Sequence, residues 1–484
     1  MGKPKNGKKP ADSAQSAAPA QGAEPKAEKE YKDNSFKLGL KHTGAAALEV
    51  GALVVTEKPV MKIILKSDEP SQAELQQWVD RFAALDPNSR DRVMELAAHQ
   101  KAVSHGALAK IVGKRGEQLQ EKLKIPEGVK MEDAWELMLV LESNSVEFEM
   151  KGGMYLSVLC LGISHLKHSC SPNALLGMGK EAGTIELRAL KPIAPGDEVT
   201  VSYLGEPDLM VPTSERQAYL KKRWQFRCVC ERCRAPDMLR AFKCPKVNCK
   251  GLVYANSAGD GIEACTECGK DLAPQQTQDF FRAEANCKKH HDELKTELLK
   301  AAGSLQMAVE ARNGDGLASA SEVAISTLSR AVHIYTTNRQ VDPSHYAIAG
   351  LATAAASVRT MLGDSMAATG REEKAKKMWI PAAGELKEAI DAHYRALPLP
   401  RDGYAQDMAG LAALYGRLGK PEEARKCFQE AADVLDLVSW ACDPARREEL
   451  DLLRKGCEAA LQSEDRTEKD VQRMYRGEEA KPKK

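Results

Sequence analysis

Cys228-Val229-Cys230-Glu231-Arg232-Cys233 places three thiols within six residues, a density that neither an ordinary core nor a surface requires. Zinc does require it, because the ion takes deprotonated sulfurs in a small tetrahedron. Three sulfurs leave that tetrahedron one ligand short. Cys170 is the obvious fourth donor, being the other thiol in a motif-like setting outside a second cluster. That second cluster pairs Cys244-x4-Cys249 with Cys265-x2-Cys268, flanked by turn formers such as Pro245, Asn248 and Gly269. It reads as a small zinc-ribbon knuckle, and closed four-thiolate sites are usually structural. Of 13 cysteines none precedes Cys160 and eight lie between Cys170 and Cys268. In a reducing compartment such crowding points to metal rather than disulfides.

A second constellation is His168-Ser-Cys170-Ser-Pro-Asn173, followed by Gly196-Asp-Glu-Val-Thr-Val-Ser-Tyr203. Taken alone, Tyr203 is a strand-terminal aromatic, and Asn144 is an ordinary turn or cap residue. Trp224 and Phe226 alternate just before Cys228 and read as the hydrophobic cover of a zinc site.

The elements that must position these residues follow from texture. The chain is α+β. Residues 1–30 hold no Val, Ile, Leu or aromatic residue and cannot offset the entropy of ordering, so a disordered tail is expected there. A β domain spans 36–205, with β-branched runs such as Gly51-Ala-Leu-Val-Val-Thr56 and an alternating Thr184-Ile-Glu-Leu-Arg188. Residues 66–142 form a helical insertion in it, with a stop and restart at Asp86-Pro87-Asn88-Ser89. The cysteine-rich segment occupies 206–275. An alanine-rich all-α domain fills 278–465, and 466–484 are a charged tail. Within the α domain, Gly370-Arg-Glu-Glu-Lys-Ala375 with Trp379 matches Gly419-Lys-Pro-Glu-Glu-Ala424 with Phe428. The pattern resembles tetratricopeptide helix pairs, with a longer repeat than usual.

Lys plus Arg total 70 against 69 Asp plus Glu, and no aromatic-basic stripe appears, which argues against a nucleic-acid ligand. No run approaches the roughly 20 apolar residues of a membrane span, and the N-terminus lacks an apolar signal segment. A soluble protein of the cytoplasm, the nucleus or both is expected.

Together the two motifs resemble the Asn-His-Ser-Cys-x-Pro-Asn and Gly-Glu-Glu-Leu-Thr-x-x-Tyr motifs of SET-domain protein lysine methyltransferases, and Cys228-x-Cys-x2-Cys233 is similar to their post-SET zinc motif. The helical insertion, the Trp224-x-Phe226-x-Cys228 lead-in and the helical C-terminal domain are similar to the SET-and-MYND subgroup. The MYND finger's own cysteines are absent, since no cysteine precedes Cys160.

The resemblance implies a SET β-fold and S-adenosylmethionine and zinc as cofactors. It implies as substrate a protein lysine, histone or non-histone, with further protein partners on the helical repeats. It places Tyr203 where the lysine amine meets the methyl group. His168 would contact the cofactor through its backbone while its ring supports the crossing of the two motif strands. Asn144 would meet the cofactor's amino-acid end, and Trp224 and Phe226 would flank adenine and the lysine channel. Cys170, Cys228, Cys230 and Cys233 would hold the post-SET zinc, and Cys244, Cys249, Cys265 and Cys268 the ribbon zinc.

Three positions depart from the pattern. Lys167 stands where the family has a cofactor-holding Asn, and a second cation beside a sulfonium costs on the order of a few kcal/mol unless screened. The family's Gly-x-Gly survives only as Gly39-Leu-Lys41 with a further Gly44, and Trp224 replaces a tyrosine. These departures define an alternative function, a catalytically impaired SET-derived scaffold recruiting proteins through its helical repeats.

Overall fold

Strand alternation sets the first core. The computed structural model describes residues 39–67, 70–101, 123–150, 153–181, 183–224, 226–311, 314–441 and 444–462. The tails expected at 1–30 and 466–484, and part of the helical insertion, lie outside these residues. Strands β1 (Leu40–Lys41), β2 (Leu53–Glu57) and β3 (Met61–Leu65) open the fold. In β3, Met61, Ile63 and Leu65 are buried while Lys62 and Ile64 face outward, the period-2 signature of a half-covered strand. The cover is the helical insertion, α1 (Gln72–Ala83), α2 (Pro87–Lys101) and α3 (Met131–Asn144). Trp78, Val79 and Phe82 of α1 and Leu137 and Val140 of α3 close one apolar cluster with β3. Ser71 and Glu74 form a capping box that starts α1. Asp86 accepts from the Ser89 N–H at 3.0 Å, the cap of the anticipated restart.

The β texture resumes in β4 (Val146–Met150), β5 (Met154–Leu159), β6 (Lys167–His168), β7 (Ala174–Met178), β8 (Ile185–Ala189) and β9 (Glu198–Val201). Three small sheets result, ordered β3-β5-β4, β2-β8-β7 and β1-β9-β6. Strand β8 does not alternate as its sequence suggests. Ile185, Glu186 and Leu187 are all buried because one face of β8 joins the core cluster and Trp440 and Ala441 cover the other at Arg188 and Gly177. The buried Glu186 carboxylate is satisfied by Arg188 at 2.7 Å and the Lys180 N–H at 3.0 Å.

Next come α4 (Glu206–Leu209), α5 (Thr213–Trp224), α6 (Glu231–Arg234) and the hairpin β10 (Asp237–Lys243) and β11 (Leu252–Ala255). The α domain contains α7 (Pro274–Glu310), α8 (Gly314–Thr337), α9 (Tyr346–Ala368), α10 (Glu372–Ala396), α11 (Asp402–Arg417), α12 (Pro421–Val438) and α13 (Pro444–Gln462). Helix α7 begins at Pro274, ahead of residue 278, because proline's fixed φ suits the first helical position. No helix among the described residues is long and apolar enough to cross a membrane.

The two Gly-x4-Ala-x3-aromatic segments do the same structural work. Gly370 and Gly419 take left-handed φ of 74° and 68°, ending one helix and releasing the next. Ala375, Trp379, Ala424 and Phe428 then bury in one cluster. Trp379 is 1% exposed and lies against Gly363, where a Cβ would collide with the indole. Its Nε1 donates to Asp364 at 3.0 Å. Trp379→Ala is expected to cost about 3–5 kcal/mol from the cavity alone. The measurement is urea unfolding followed by circular dichroism; a midpoint unchanged from that of the unaltered chain would refute the packing role.

The α domain closes onto the β core at several places. Trp440 stacks on the Arg188 guanidinium, 5.1 Å from its ring centre, and Ala441 fits against Gly177 so tightly that a Cβ there would overlap it. Leu397 and Leu399, in the turn after α10, join Cys170, Leu220 and Phe226 in a shared cluster.

Candidate active site and thiolate clusters

Sequence-distant motifs meet through one unusual pairing. Strand β6 lies parallel to β9, with Lys167 opposite Thr200 and His168 opposite Val201, and β1 covers the other edge of β9. Two residues of parallel ladder are a weak hold, so side chains reinforce it. Asn173 Nδ2 donates to the Glu198 carbonyl at 2.9 Å, and its Oδ1 accepts from Thr200 N–H at 2.8 Å. The Ser169 N–H donates to the Val201 carbonyl at 2.9 Å. The Asn of the His-Ser-Cys-x-Pro-Asn segment therefore staples the crossing.

This crossing delivers Tyr203. Its backbone N–H donates to His168 Nδ1 at 2.9 Å, and its hydroxyl donates to the Leu166 carbonyl at 2.5 Å. Since Nδ1 accepts, the neutral imidazole must carry its proton on Nε2, which lies 3.2 Å from Cys170 Sγ. Burial pushes His168 down to about 4, so the ring is neutral at physiological pH. Burial likewise pushes the Tyr203 hydroxyl well above its ordinary range, keeping it a donor. The Tyr203 ring is surrounded by Trp224 at 5.3 Å, His168 at 5.2 Å and Phe226 at 6.1 Å between centroids.

Tyr203 and Trp224 line a cavity of about 470 Å³ between the β core and the turn after α10. Asn144 lines it too, from the end of α3, where its Nδ2 donates to the Val140 carbonyl at 2.8 Å. Phe226 is buried among Cys170, Cys228 and Cys233 while its edge meets Tyr203, so the cover of the thiols and the wall of the site are one residue.

Lys167 is not an isolated cation. Its Nζ lies 2.9 Å from Glu198 Oε1, with the two side chains 25% and 38% exposed. Gly39, at φ 76°, packs against this pair so closely that a Cβ would strike the Glu198 carboxylate. The left-handed backbone at Gly39 favours glycine, and the ion pair fills the space a side chain would take.

Both thiol clusters assemble as anticipated. Cys170, Cys228, Cys230 and Cys233 bring four Sγ atoms within 4.8 Å of one another, and so do Cys244, Cys249, Cys265 and Cys268. Tetrahedral Zn–S bonds of about 2.3 Å demand S···S separations near ~3.8 Å. Observed pairs include Cys170 with Cys233 at 3.5 Å, Cys244 with Cys268 at 3.8 Å and Cys249 with Cys265 at 3.6 Å. The donor sets fit zinc. Backbone Lys246 N–H and Gly251 N–H point at Cys244 and Cys249 sulfurs at 3.4 Å, a thiolate-stabilising arrangement. The first cluster relies on guanidinium groups instead: Arg216 Nη2 is 3.9 Å from Cys233 Sγ, and Arg232 Nη1 donates to the Cys170 carbonyl at 3.1 Å.

Several contributors carry little sequence signal. Glu198 lies inside the Gly196-Asp-Glu motif and could have been paired with Lys167 by its opposite charge. Glu57 clamps the N–H groups of Gly162 and Ile163 at 2.9 and 2.8 Å, ahead of β6. Arg216, Arg232, Leu397 and Leu399 sit in ordinary helical or turn contexts, and nothing local marks them.

Comparison with known proteins agrees with this geometry. Residues 49–204 match the family model of the SET domain. N-lysine methyltransferase SMYD2-B of Danio rerio is 38% identical over 76 residues, 16% of this chain and 16% of its own length. Histone-lysine N-methyltransferase ASHR1 of Arabidopsis thaliana is 29% identical over 115 residues, 22% of this chain and 23% of its own. Histone-lysine N-methyltransferase SET5 of Yarrowia lipolytica is 26% identical over 171 residues, 35% of each chain. The chain thus spans about a third or less of the length of these curated relatives. With its motif crossing, thiolate clusters and helical C-terminal region, the chain is an α+β protein that carries a SET domain whose homologues are named as SET-and-MYND and lysine methyltransferase proteins.

Proposed function

We propose that this chain transfers a methyl group from S-adenosylmethionine to the side-chain amine of a lysine in a protein substrate. The observation that carries the reading is the Tyr203 junction. Tyr203, its hydroxyl held protonated by burial and fixed to the Leu166 carbonyl, lines a cavity that Trp224 and Asn144 also wall. When bound, S-adenosylmethionine supplies an electrophilic methyl group on a sulfonium. The residues supply position and exclusion of water. The Tyr203 hydroxyl and Leu166 carbonyl form a fixed dipole pair that orients an incoming neutral amine, and the ring of Trp224 confines its aliphatic stem. The His168 ring, neutral and tied to both Tyr203 N–H and Cys170 Sγ, keeps that dipole pair in place.

The residues on the β1 side suit the cofactor's amino-acid end. An ion pair offers one charge of each sign, the complement of a zwitterion. Lys167 would face the carboxylate and Glu198 the ammonium, so the lysine is compensated where it replaces the family Asn. This pairing supports the transfer reading over the impaired scaffold. Zinc, held by Cys170, Cys228, Cys230 and Cys233, would fasten Phe226 and His168 to the same site, with Arg216 and Arg232 offsetting its thiolate charge. The second zinc would hold β10 and β11 to the α domain. The reading places the protein in the cytoplasm, the nucleus or both, with a protein substrate such as a histone.

Calorimetric titration of the zinc-loaded chain with S-adenosylmethionine tests the cofactor assignment. The unaltered chain is expected to bind saturably, Lys167→Asn to retain binding, and Glu198→Gln, which strips the lysine of its partner, to bind at least about tenfold more weakly. Absence of binding in the unaltered chain would overturn the reading, and full binding by Glu198→Gln would overturn the role of the pair.

A further inference from the structure

Arg401 is buried beside the Tyr203 cavity with part of its hydrogen-bonding capacity unused. It lines the cavity as the residue preceding α11 and is only 9% exposed. Its Nη1 donates to Glu206 Oε1 at 3.1 Å, while Nε and Nη2 have no hydrogen-bond partner among the described residues. Leaving buried guanidinium donors unmatched is unfavourable, because their hydration is lost with nothing gained in return. Such a cost persists where the group serves something other than stability.

The surrounding charges leave Arg401 undercompensated. Asp402 is engaged by Arg446 at 2.8 Å, and Arg446 also reaches Glu449 at 3.1 Å. Burial, and then the neighbouring Asp402, push the Glu206 carboxyl well above the usual carboxylate range, so it is a poor counter-anion. Asp407, pushed up to about 6 by burial, remains an anion at neutral pH and offsets part of the charge of Arg401 without bonding Nε or Nη2, and burial pushes His393 down to about 4, leaving it neutral. The guanidinium is also held firmly. Leu397 and Leu399, 0% and 2% exposed, anchor the turn in the cluster that contains Phe226 and Cys170. The edge left over, Nε with Nη2, is the side-on fork that matches the two oxygens of a carboxylate.

We propose that Arg401 is a specificity residue that binds a carboxylate on the substrate segment carrying the target lysine. This rests on the lysine-transfer reading above and names the substrate's chemistry. The lysine enters at Tyr203 and Trp224, and an acidic group nearby in the same segment reaches the open Nε–Nη2 edge of Arg401 across the cavity, while Nη1 keeps its bond to Glu206. The carboxylate comes from an Asp or Glu side chain, or from a chain terminus lying beside the lysine.

The test uses the full zinc-loaded chain and fluorescent 11-residue alanine-serine peptides with a central lysine. One glutamate is moved through each flanking position, glutamine peptides serve as controls, and a further arm compares free with amidated C-termini. Binding is read by fluorescence anisotropy with no methyl donor present, so it does not depend on turnover. At one position glutamate is expected to bind at least about tenfold tighter than glutamine, or the free terminus tighter than the amidated one. R401M should abolish that ratio, and R401K should restore part of it. E206Q, which fixes Glu206 in the uncharged state that burial favours, should keep the ratio, and its loss there would overturn the proposal; this arm stands even where R401M folds poorly. Equal binding of every glutamate and glutamine pair, with no effect of the terminus, would overturn the proposal. So would a preference that survives R401M. Methyl transfer without acid preference would refute Arg401 alone, whereas acid preference without transfer would support the subsite and refute the catalytic reading.

Discussion

Tyr203→Phe is expected to lower methyl transfer to a lysine-containing substrate by at least about 100-fold, a loss on the order of 2.7 kcal/mol in transition-state stabilisation. The substitution removes the hydroxyl that donates to the Leu166 carbonyl and leaves the backbone N–H that holds His168 Nδ1. The crossing of β6 and β9 rests on main-chain and Asn173 bonds, none of which involves that hydroxyl. Zinc content should therefore be unchanged. Stability should fall only by the roughly 1–3 kcal/mol of an unsatisfied buried carbonyl. Single-turnover transfer of labelled methyl to core histones and to a lysine peptide library, beside a thermal melt and elemental analysis, separates the two effects. Equal transfer by the phenylalanine variant would remove Tyr203 from the chemistry. Loss of activity accompanied by loss of zinc would instead assign it a packing role.

That experiment is possible because the site's chemistry was visible before its geometry. Cysteine spacing alone grouped Cys228, Cys230 and Cys233, and the demand for a fourth sulfur pointed to Cys170, which lies more than 50 residues away in the chain and meets them through folding. Helix pairs were equally legible, since glycines at helix ends and alanine or aromatic residues at fixed offsets are local signals. What could not be read was long-range and electrostatic. The alternating pattern of β8 suggests a half-exposed strand, yet Trp440 and Ala441, some 250 residues later in the chain, cover the face that carries Glu186 and Arg188. Lys167 read as an obstacle because its partner, Glu198, is brought close only by the parallel pairing of β6 with β9. Arg401 had no local signature at all. Its meaning comes from a turn after α10 folding against a β core assembled some 200 residues earlier, near Glu206.

The largest coupled effect is expected from Cys170→Ser. Serine is a poor zinc ligand, so the first cluster should lose its metal while the ribbon keeps its own, and bound zinc should fall from two equivalents to one. The consequence reaches Tyr203 through one side chain. His168 spans Cys170 Sγ at 3.2 Å and the Tyr203 N–H at 2.9 Å. Phe226, Cys228 and Cys233 pack in the cluster that Leu397 and Leu399 also join. Without the metal, three thiols, the new serine hydroxyl and two guanidinium groups crowd together with no dication to organise them, and that arrangement is strongly unfavourable. Cofactor affinity and methyl transfer should therefore fall together, each by at least about tenfold. Cys265→Ser is the matching control. It removes the other zinc, whose surroundings are Phe242, Phe280 and Cys287 rather than Tyr203. It should lower the melting temperature while leaving cofactor affinity intact. Calorimetry and elemental analysis on both variants decide the matter. If Cys170→Ser retained full cofactor affinity with one zinc, the thiolate cluster would be a staple independent of the site; if Cys265→Ser lost affinity as severely, the two clusters would form one structural unit.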